Sequence, residues 1–422
     1  MADRRGARGR VGRVPLRLLW TCLASLACAA AKRTHNSGCR YGSEPGFWQR
    51  LSWDEYPNRA SEFSVPYMTR LENTPESPWP RSPVEAADAP FGSAFRTLRR
   101  ACQPRPLLRR AAFSERFVRN ATIVLLGDSV DGQLLAQACT QAADRGVGGW
   151  AAYVHGHAAV NYCSLPSGLH LVQKYVTRHG VDVDATQVAD AAAFIAGDDS
   201  AAATAHEERA GAASLAARPP EAARIAEAVA SAGGKPALVV LSPSIYWVLL
   251  NLAPEHAKLA RAGLNATAAA ALSDADASPP VLPVAEVEAF ARSTEELVRT
   301  VRRAFPGVPV VMHTSTEVLT DCATGMHPID SQKAWARRTY VAALNAATRV
   351  VAHAARAPLV DFELLGAAFA PAQLLWDSQH PRGFFQLEVL NIYLNLAQQL
   401  RGRGNAPPPV DDDGQDDDAQ QR

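Results

Sequence analysis

The chain has 422 residues, 47% hydrophobic and 20% charged, which is enough apolar material for one large core or two smaller ones and too much for a disordered protein. Its 43 basic residues against 42 acidic ones leave a formal net charge of +1. That balance gives no electrostatic reason to expect nucleic acid or an acidic membrane surface as partner.

The first 31 residues stand apart. Arg4, Arg5, Arg8, Arg10, Arg13 and Arg17 precede an apolar run of 14 residues at 18–31, the layout of a secretory signal. The run is short against the roughly 20 residues a helix needs to span a bilayer. Ala27-Cys28-Ala29 or Ala29-Ala30-Ala31 offers small residues to a signal peptidase. Residues 1–31 are expected to be a cleaved signal peptide, with a retained short anchor as the alternative and the only route to membrane association. Either way the body is expected in the secretory pathway, in the Golgi lumen or outside the cell. If Cys22 and Cys28 leave with the signal, Cys39, Cys102, Cys139, Cys163 and Cys322 remain, which is two disulfides and one free thiol with the connectivity open. Asn120-Ala121-Thr122 and Asn265-Ala266-Thr267 are glycosylation acceptors in such a compartment.

Residues 32–119 are rich in Pro, Trp, Arg and Ser without a sustained period, and predict an irregular extension held by packing and by Cys39 and Cys102. At 120 the pattern changes. A short apolar run at 121–126 ends in Gly127-Asp128-Ser129, and a helical stretch follows at 130–143, so the segment reads strand, tight turn, helix. A second strand is expected just ahead of His155-Gly156-His157, flanked by Cys139 and Cys163. Further buried strands are predicted at 237–241, 308–312 and 359–362, each bounded by Gly or Pro. The Ala-rich stretch near 185–232 favours helix by composition and is expected to be an insertion between sheet units. Val287, Phe290, Leu297, Val298 and Val301 recur at helical spacing within 284–305, and Asp330 can cap a helix running to about 356. An amphipathic helix at 384–400 closes the domain.

Short strands that are apolar throughout are buried on both faces, and their alternation with helices predicts an α/β fold: a three-layer α/β/α sandwich with a mostly parallel sheet, spanning 120–402. Residues 403–422 run through Pro407-Pro408-Pro409 into Asp411-Asp412-Asp413 and Asp416-Asp417-Asp418. This is too polar to pack and reads as a disordered acidic tail.

Gly127-Asp128-Ser129 falls where an open parallel sheet puts its active site, at the carboxyl end of a strand and the start of a helix. A serine there presents its hydroxyl to the crevice beside helix-start N–H groups that can stabilise an oxyanion. The bland alternative is an ordinary turn with Asp128 or Ser129 capping the helix. Far downstream, Trp376-Asp377-Ser378-Gln379-His380-Pro381 carries Asp and His three apart on one loop. Serine needs a base within reach, and the base needs a carboxylate to fix its tautomer, so one loop delivering both supplies the missing chemistry. A surface turn before Pro381 explains Asp377 and His380 alone, but not their pairing with the upstream motif. Gly132 falls one place too late for Gly-x-Ser-x-Gly, which disfavours the strained elbow of an α/β-hydrolase.

On these two blocks, in this order and separation, the chain resembles the SGNH or GDSL-like hydrolase superfamily. With Cys39, Gly46-Phe47-Trp48 and Cys102 ahead of the nucleophile block, it resembles more closely the PC-esterase branch. That branch includes plant trichome-birefringence-like polysaccharide O-acetyltransferases and the catalytic domain of sialic acid O-acetyltransferases. The resemblance implies a catalytic group of Ser129, Asp377 and His380. It also implies an oxyanion held by the nucleophile's N–H, a glycine in a second block and an asparagine in a third. Gly156 is the expected glycine, with Gly168 in Pro166-Ser167-Gly168 nearly as well placed. No Gly-x-Asn-Asp follows the strand at 237–241; Ser242-Pro243-Ser244-Ile245-Tyr246-Trp247 leads instead to Asn251, which is a candidate third donor or, the reading its position favours, a structural asparagine in a helix or loop.

His155, His157, His313, His327 and His353 lack metal-ligand spacing, and neither metal nor organic cofactor is expected. Tyr246, Trp247 and Trp376 lie near the inferred active edge, where they either stack on a sugar or belong to the core. The expected activity is that of a serine esterase or O-acyltransferase acting on O-acyl, foremost O-acetyl, groups of glycans or polysaccharides. Acylated glycan is then the substrate, and a transferase would need a partner to supply the acyl donor. The alternative is a non-catalytic glycan-binding or wall-associated protein that keeps the fold.

Overall fold

The computed structural model describes residues 39–50, 93–99, 102–105, 121–144, 160–165, 168–178, 180–198, 220–262, 264–271, 279–317, 338–369, 374–375, 379–381 and 383–403. The chain divides into two units, Met1–Arg40 and Tyr41–Arg422. Of the first only Cys39 and Arg40 are described; every strand and helix named below belongs to the second. The expected signal segment and acidic tail, with Asn120, Gly156, Cys322, Asp330 and Asp377, lie outside the described residues.

The centre is β3 (Thr122–Gly127), six residues of which every one is buried. It pairs in parallel with β5 (His170–Tyr175) on one side and β6 (Leu238–Leu241) on the other. Beyond β6 lie β7 (Val310–His313) and β8 (Leu359–Val360), also parallel, while β4 (Val160–Ser164) runs antiparallel along β5. The six strands stand in the order β4-β5-β3-β6-β7-β8, a mostly parallel sheet of an α/β fold. The chain leaves β3 for β5 and then returns to β6 on the opposite side. The carboxyl end of β3 is therefore the point where the winding reverses, and an open sheet leaves a crevice there.

The period of two along each strand separates two cores. Ile123 and Leu125, Leu171, Leu238 and Val240, and Val311 join one cluster, while Val124 and Leu126, Val172, Val239 and Leu241, and Val310 and Met312 join another. The first cluster is completed by α1 (Ser129–Asp144) through Leu134 and Leu135, and by α4 (Ile245–Arg261) through Ile245 and Leu249. The second is completed by α2 (Val181–Ala196) through Val188 and Phe194 and by α3 (Pro220–Ser231) through Ile225 and Val229. After the short α5 (Ala266–Ala271), the helices α6 (Val284–Ala304) and α7 (Arg338–Ala354) contribute to both clusters. Asp361 caps the short α8 (Phe362–Gly366) by accepting the Leu364 N–H, and α9 (Gly383–Arg403) closes the first face with Phe385, Leu390 and Tyr393.

Four sequence expectations change. The Ala-rich region is not a plain insertion, because 181–196 and 220–231 are helices packed on the sheet; Val188, Ala191, Phe194 and Ile195 carry a helical period that the surrounding alanines mask. The final helix is not amphipathic: Gln386, Asn391 and Asn395 are buried along with its apolar residues. The N-terminal extension is not wholly irregular, since β1 (Gly46–Arg50) and β2 (Ser93–Thr97) form an antiparallel ribbon. Trp48 on that ribbon stacks on Phe385, meets Phe95 edge-on and donates its Nε1–H to the Leu365 carbonyl at 2.7 Å. The second parallel strand is His170–Tyr175, which follows Gly156 and Gly168 instead of preceding them. Its polar residues disguised it. In place, the Gln173 Oε1 accepts from Asn161 at 2.6 Å and Lys174 pairs with Asp190 at 2.9 Å, while the buried Gln173 Nε2 has no partner among the described residues.

Cys139 on α1 is bonded to Cys163 on β4, with Cα atoms 6.2 Å apart, and Cys39 and Cys102 are each in a disulfide as well. Disulfides indicate an oxidising secretory or extracellular environment. Among the described residues no helix is long and apolar enough to cross a membrane.

Candidate active site

The end of β3 turns into α1 within two residues, and each residue of the turn has a separate task. Gly127 has no room for a side chain: a Cβ there would overlap the Asp131 carboxylate and lie 2.6 Å from the Ser242 Cβ. Asp128 caps the helix, its carbonyl accepting the Gly132 N–H at 3.1 Å and its Oδ1 the Val130 N–H at 3.0 Å. Ser129, partly exposed, is the first residue of α1. The capping role that the bland reading gave to this turn is real, but it belongs to Asp128 and leaves the Ser129 hydroxyl for other work.

That hydroxyl lies 2.6 Å from Nε2 of His380, a residue 251 positions away. His380 is buried in the loop before α9, whose base is closed by a bridge between Leu375 and Pro381. The Gln379 amide nitrogen stands 3.4 Å from the same Nε2. A hydroxyl and an amide N–H facing one ring nitrogen fit Nε2 as acceptor, the state in which it can take the Ser129 proton. Asp377, expected to orient His380, is outside the described residues.

Behind the pair lies a buried set of charges that spacing alone did not single out. Asp131, one turn into α1, faces Nε2 of His313 at 3.3 Å, and His313 at the end of β7 donates from Nδ1 to the Thr314 carbonyl at 2.8 Å. The His313 ring stacks on Phe362, with centroids 4.2 Å apart. Burial works against a charged ring here. The charge and hydrogen bond of Asp131, the Thr314 carbonyl and Asp128 outweigh it, and the His313 pKa is raised. Asp128 is pushed from 3.8 to about 6, first by burial and then by Asp131, against the opposing pull of the Val130 N–H, His313 and His380. Tyr393 on α9 is held neutral, its pKa well above the usual phenol value through burial and the Asp131 charge. The strand end carrying His313 is fixed in turn, since Thr314 donates to Asp361 at 2.9 Å and Arg349 grips Asp361 with two nitrogens at 2.8 and 2.9 Å.

The expected oxyanion donors fare differently. Gly168 has φ 77 and donates its N–H to the Leu165 carbonyl at 2.9 Å, in the hairpin that leads into β5. It therefore lies at the amino end of that strand, on the wrong rim of the sheet, and is withdrawn. Asn251 is withdrawn too: six residues beyond the start of α4, it stands roughly 9 Å along the helix from the crevice. Gly156 lies outside the described residues. At the corresponding point of the rim the structure has Ser242 and Ser244. The Ser242 N–H donates to the Leu126 carbonyl at 2.8 Å, and its hydroxyl accepts the Ser244 N–H at 3.1 Å. A strand followed by Ser-Pro-Ser and a helix was the signal for them, overlooked in favour of an amide side chain.

Tyr246 belongs to the core, its hydroxyl donating to the Thr316 carbonyl at 3.0 Å. Among the described residues no group of three or more His, Cys, Asp or Glu converges to hold a metal ion. Comparison of the chain with family models, curated proteins and solved structures finds no match in any of the three.

Proposed function

We propose that this chain is a serine esterase or O-acyltransferase that works through an acyl-enzyme on Ser129, on a three-layer α/β/α scaffold of the SGNH type. The observation that carries the reading is the 2.6 Å approach of Ser129 Oγ and His380 Nε2 at the carboxyl end of β3. Two residues so far apart in sequence meet at the crevice where the winding reverses, which supports a catalytic pairing over two separate surface turns.

In the proposed reaction His380 Nε2 takes the Ser129 proton as Oγ bonds to the ester carbonyl carbon. The tetrahedral intermediate collapses with loss of the alcohol, which receives that proton from His380. Water or a sugar hydroxyl then attacks the acyl-enzyme by the same steps in reverse. Asp377 orients His380 and stabilises its protonated form. O-Acyl, foremost O-acetyl, groups of glycans are the proposed substrates, met in the Golgi lumen or outside the cell. The disulfides favour that location, and the resemblance to the PC-esterase branch favours the substrate.

Fluorophosphonate labelling of the folded full chain tests this. Labelling at Ser129, lost in Ser129→Ala, supports the reading; folded protein that stays unlabelled overturns it. Release of acetate from an acetylated glycan, with and without an acceptor glycan, separates hydrolysis from transfer. Glycan binding that survives Ser129→Ala, without any turnover by the unmutated protein, would assign a non-catalytic binding role instead.

A further inference from the structure

The residue that joins β6 to α4 is costly in two independent ways. Ser244 has φ 50 and ψ 51, the left-handed region that a residue with a Cβ seldom adopts. Its side chain is fully buried, and its hydroxyl has no hydrogen-bond partner among the described residues. The hydroxyl does not serve as a helix cap either, although Ser244 occupies the N-cap position of α4. Glycine would take the same backbone conformation without strain and would leave no buried polar group unpaired. Nothing in the packing accounts for a serine here, and an unpaired buried hydroxyl in a strained turn is a mark of function.

Its place in the sheet says what that function is. Leu241 pairs with Leu126, so Ser242 stands level with Gly127, and the two are in contact through the Ser242 Cβ. Ser129 and Ser244 each lie two residues further on, at the starts of the helices that follow these paired strands, which run about 4.8 Å apart. One strand spacing is within reach of a tetrahedral group bonded to Ser129 and a single hydrogen bond. The positive end of α4, whose first N–H groups lack intrahelical acceptors, adds a favourable field for an anion at the same point.

We propose that Ser244 is a further catalytic residue, whose hydroxyl donates to the carbonyl oxygen of the substrate as that oxygen becomes an oxyanion. The inference rests on the acyl-transfer reading of Ser129. When the Ser129 Oγ–carbon bond forms, the carbonyl electron pair moves to oxygen and the Ser129 proton passes to His380. Ser244 keeps its own proton and stabilises the charge until the carbonyl re-forms and the alcohol departs. Burial keeps this donor free of competing water, where a hydrogen bond to a developing charge contributes most. The group takes the place of the candidate asparagine at 251.

The test is the full chain carrying Ser244→Gly or Ser244→Ala, assayed with p-nitrophenyl acetate for kcat and KM and by thermal unfolding. Both variants are expected to lose about 100- to 1000-fold in kcat with KM within about threefold, and Ser244→Gly to melt no lower than the unmutated protein. Variants that keep kcat within threefold overturn the inference, as does a loss of kcat that tracks a lowered melting temperature in both. The underlying reading fails separately: unmutated protein that neither labels at Ser129 nor turns over ester would remove it before either variant is made.

Discussion

Asp128 offers a test of the buried charge set that is independent of any substrate. Its carboxyl is wholly buried and raised from 3.8 to about 6, chiefly by burial and then by Asp131. A folded-state pKa above the unfolded one means that the native protein holds this proton more tightly than the unfolded chain does. The contribution to stability is therefore fully present below about pH 3.8 and is lost as the pH climbs through about 6. The loss amounts to about 3 kcal/mol at pH 7, or a melting shift of about 4 °C in a unit of this size. Asp128→Asn removes the charge while keeping a side chain that caps as well and can still accept the Val130 N–H. The variant is expected to match the unmutated protein near pH 4 and to exceed it by up to about 3 kcal/mol at pH 7, measured by urea unfolding across that range. A variant less stable at pH 7, or one whose gain is the same at pH 4 and pH 7, would refute the assignment of Asp128 as a carboxyl ionised against its surroundings.

His313→Gln leaves the buried Asp131 without its cation and is expected to cost about 3–5 kcal/mol in urea unfolding at pH 6. Because the His313 pKa is raised in the fold, its stabilisation is complete below the ordinary histidine value and fades as the pH rises through the raised one, so the deficit of the variant should shrink in alkaline solution. Trp48→Ala removes the ring that stacks on Phe385 and the bond to the Leu365 carbonyl, and is expected to cost about 3–5 kcal/mol by the same assay. A cost below about 1 kcal/mol would show the N-terminal ribbon to be dispensable to the body.

Local sequence was enough to pick out Ser129 and His380, which the fold brings together, and four of the parallel strands. A fully buried strand must be apolar throughout, and 121–126 and 237–241 are. The Gly-Asp-Ser turn and the Asp-x-x-His loop carry their chemistry in residue types that packing does not demand, so Ser129 and His380 stand out in the sequence without their 2.6 Å approach. The strands β4 and β5 were hidden, because Asn161, Gln173 and Lys174 read as exposed residues until the fold brings Asn161 to Gln173 and Lys174 to Asp190. The last helix misled for the same reason: Gln386, Asn391 and Asn395 look like a solvent face until the neighbouring elements close over them.

What belonged to the sequence was the identity of the candidate residues and the period of the elements, since both depend on residues close together in the chain. What belonged to the tertiary structure was the company those groups keep. Asp131 meets His313 across 182 positions, and Ser242 comes level with Gly127 only because β6 pairs with β3. Electrostatics and strain act through space between segments that the order of residues does not bring together. Asn251 therefore looked suitable by type yet stands well up a helix, while Ser244, which its residue type does not single out, occupies the rim.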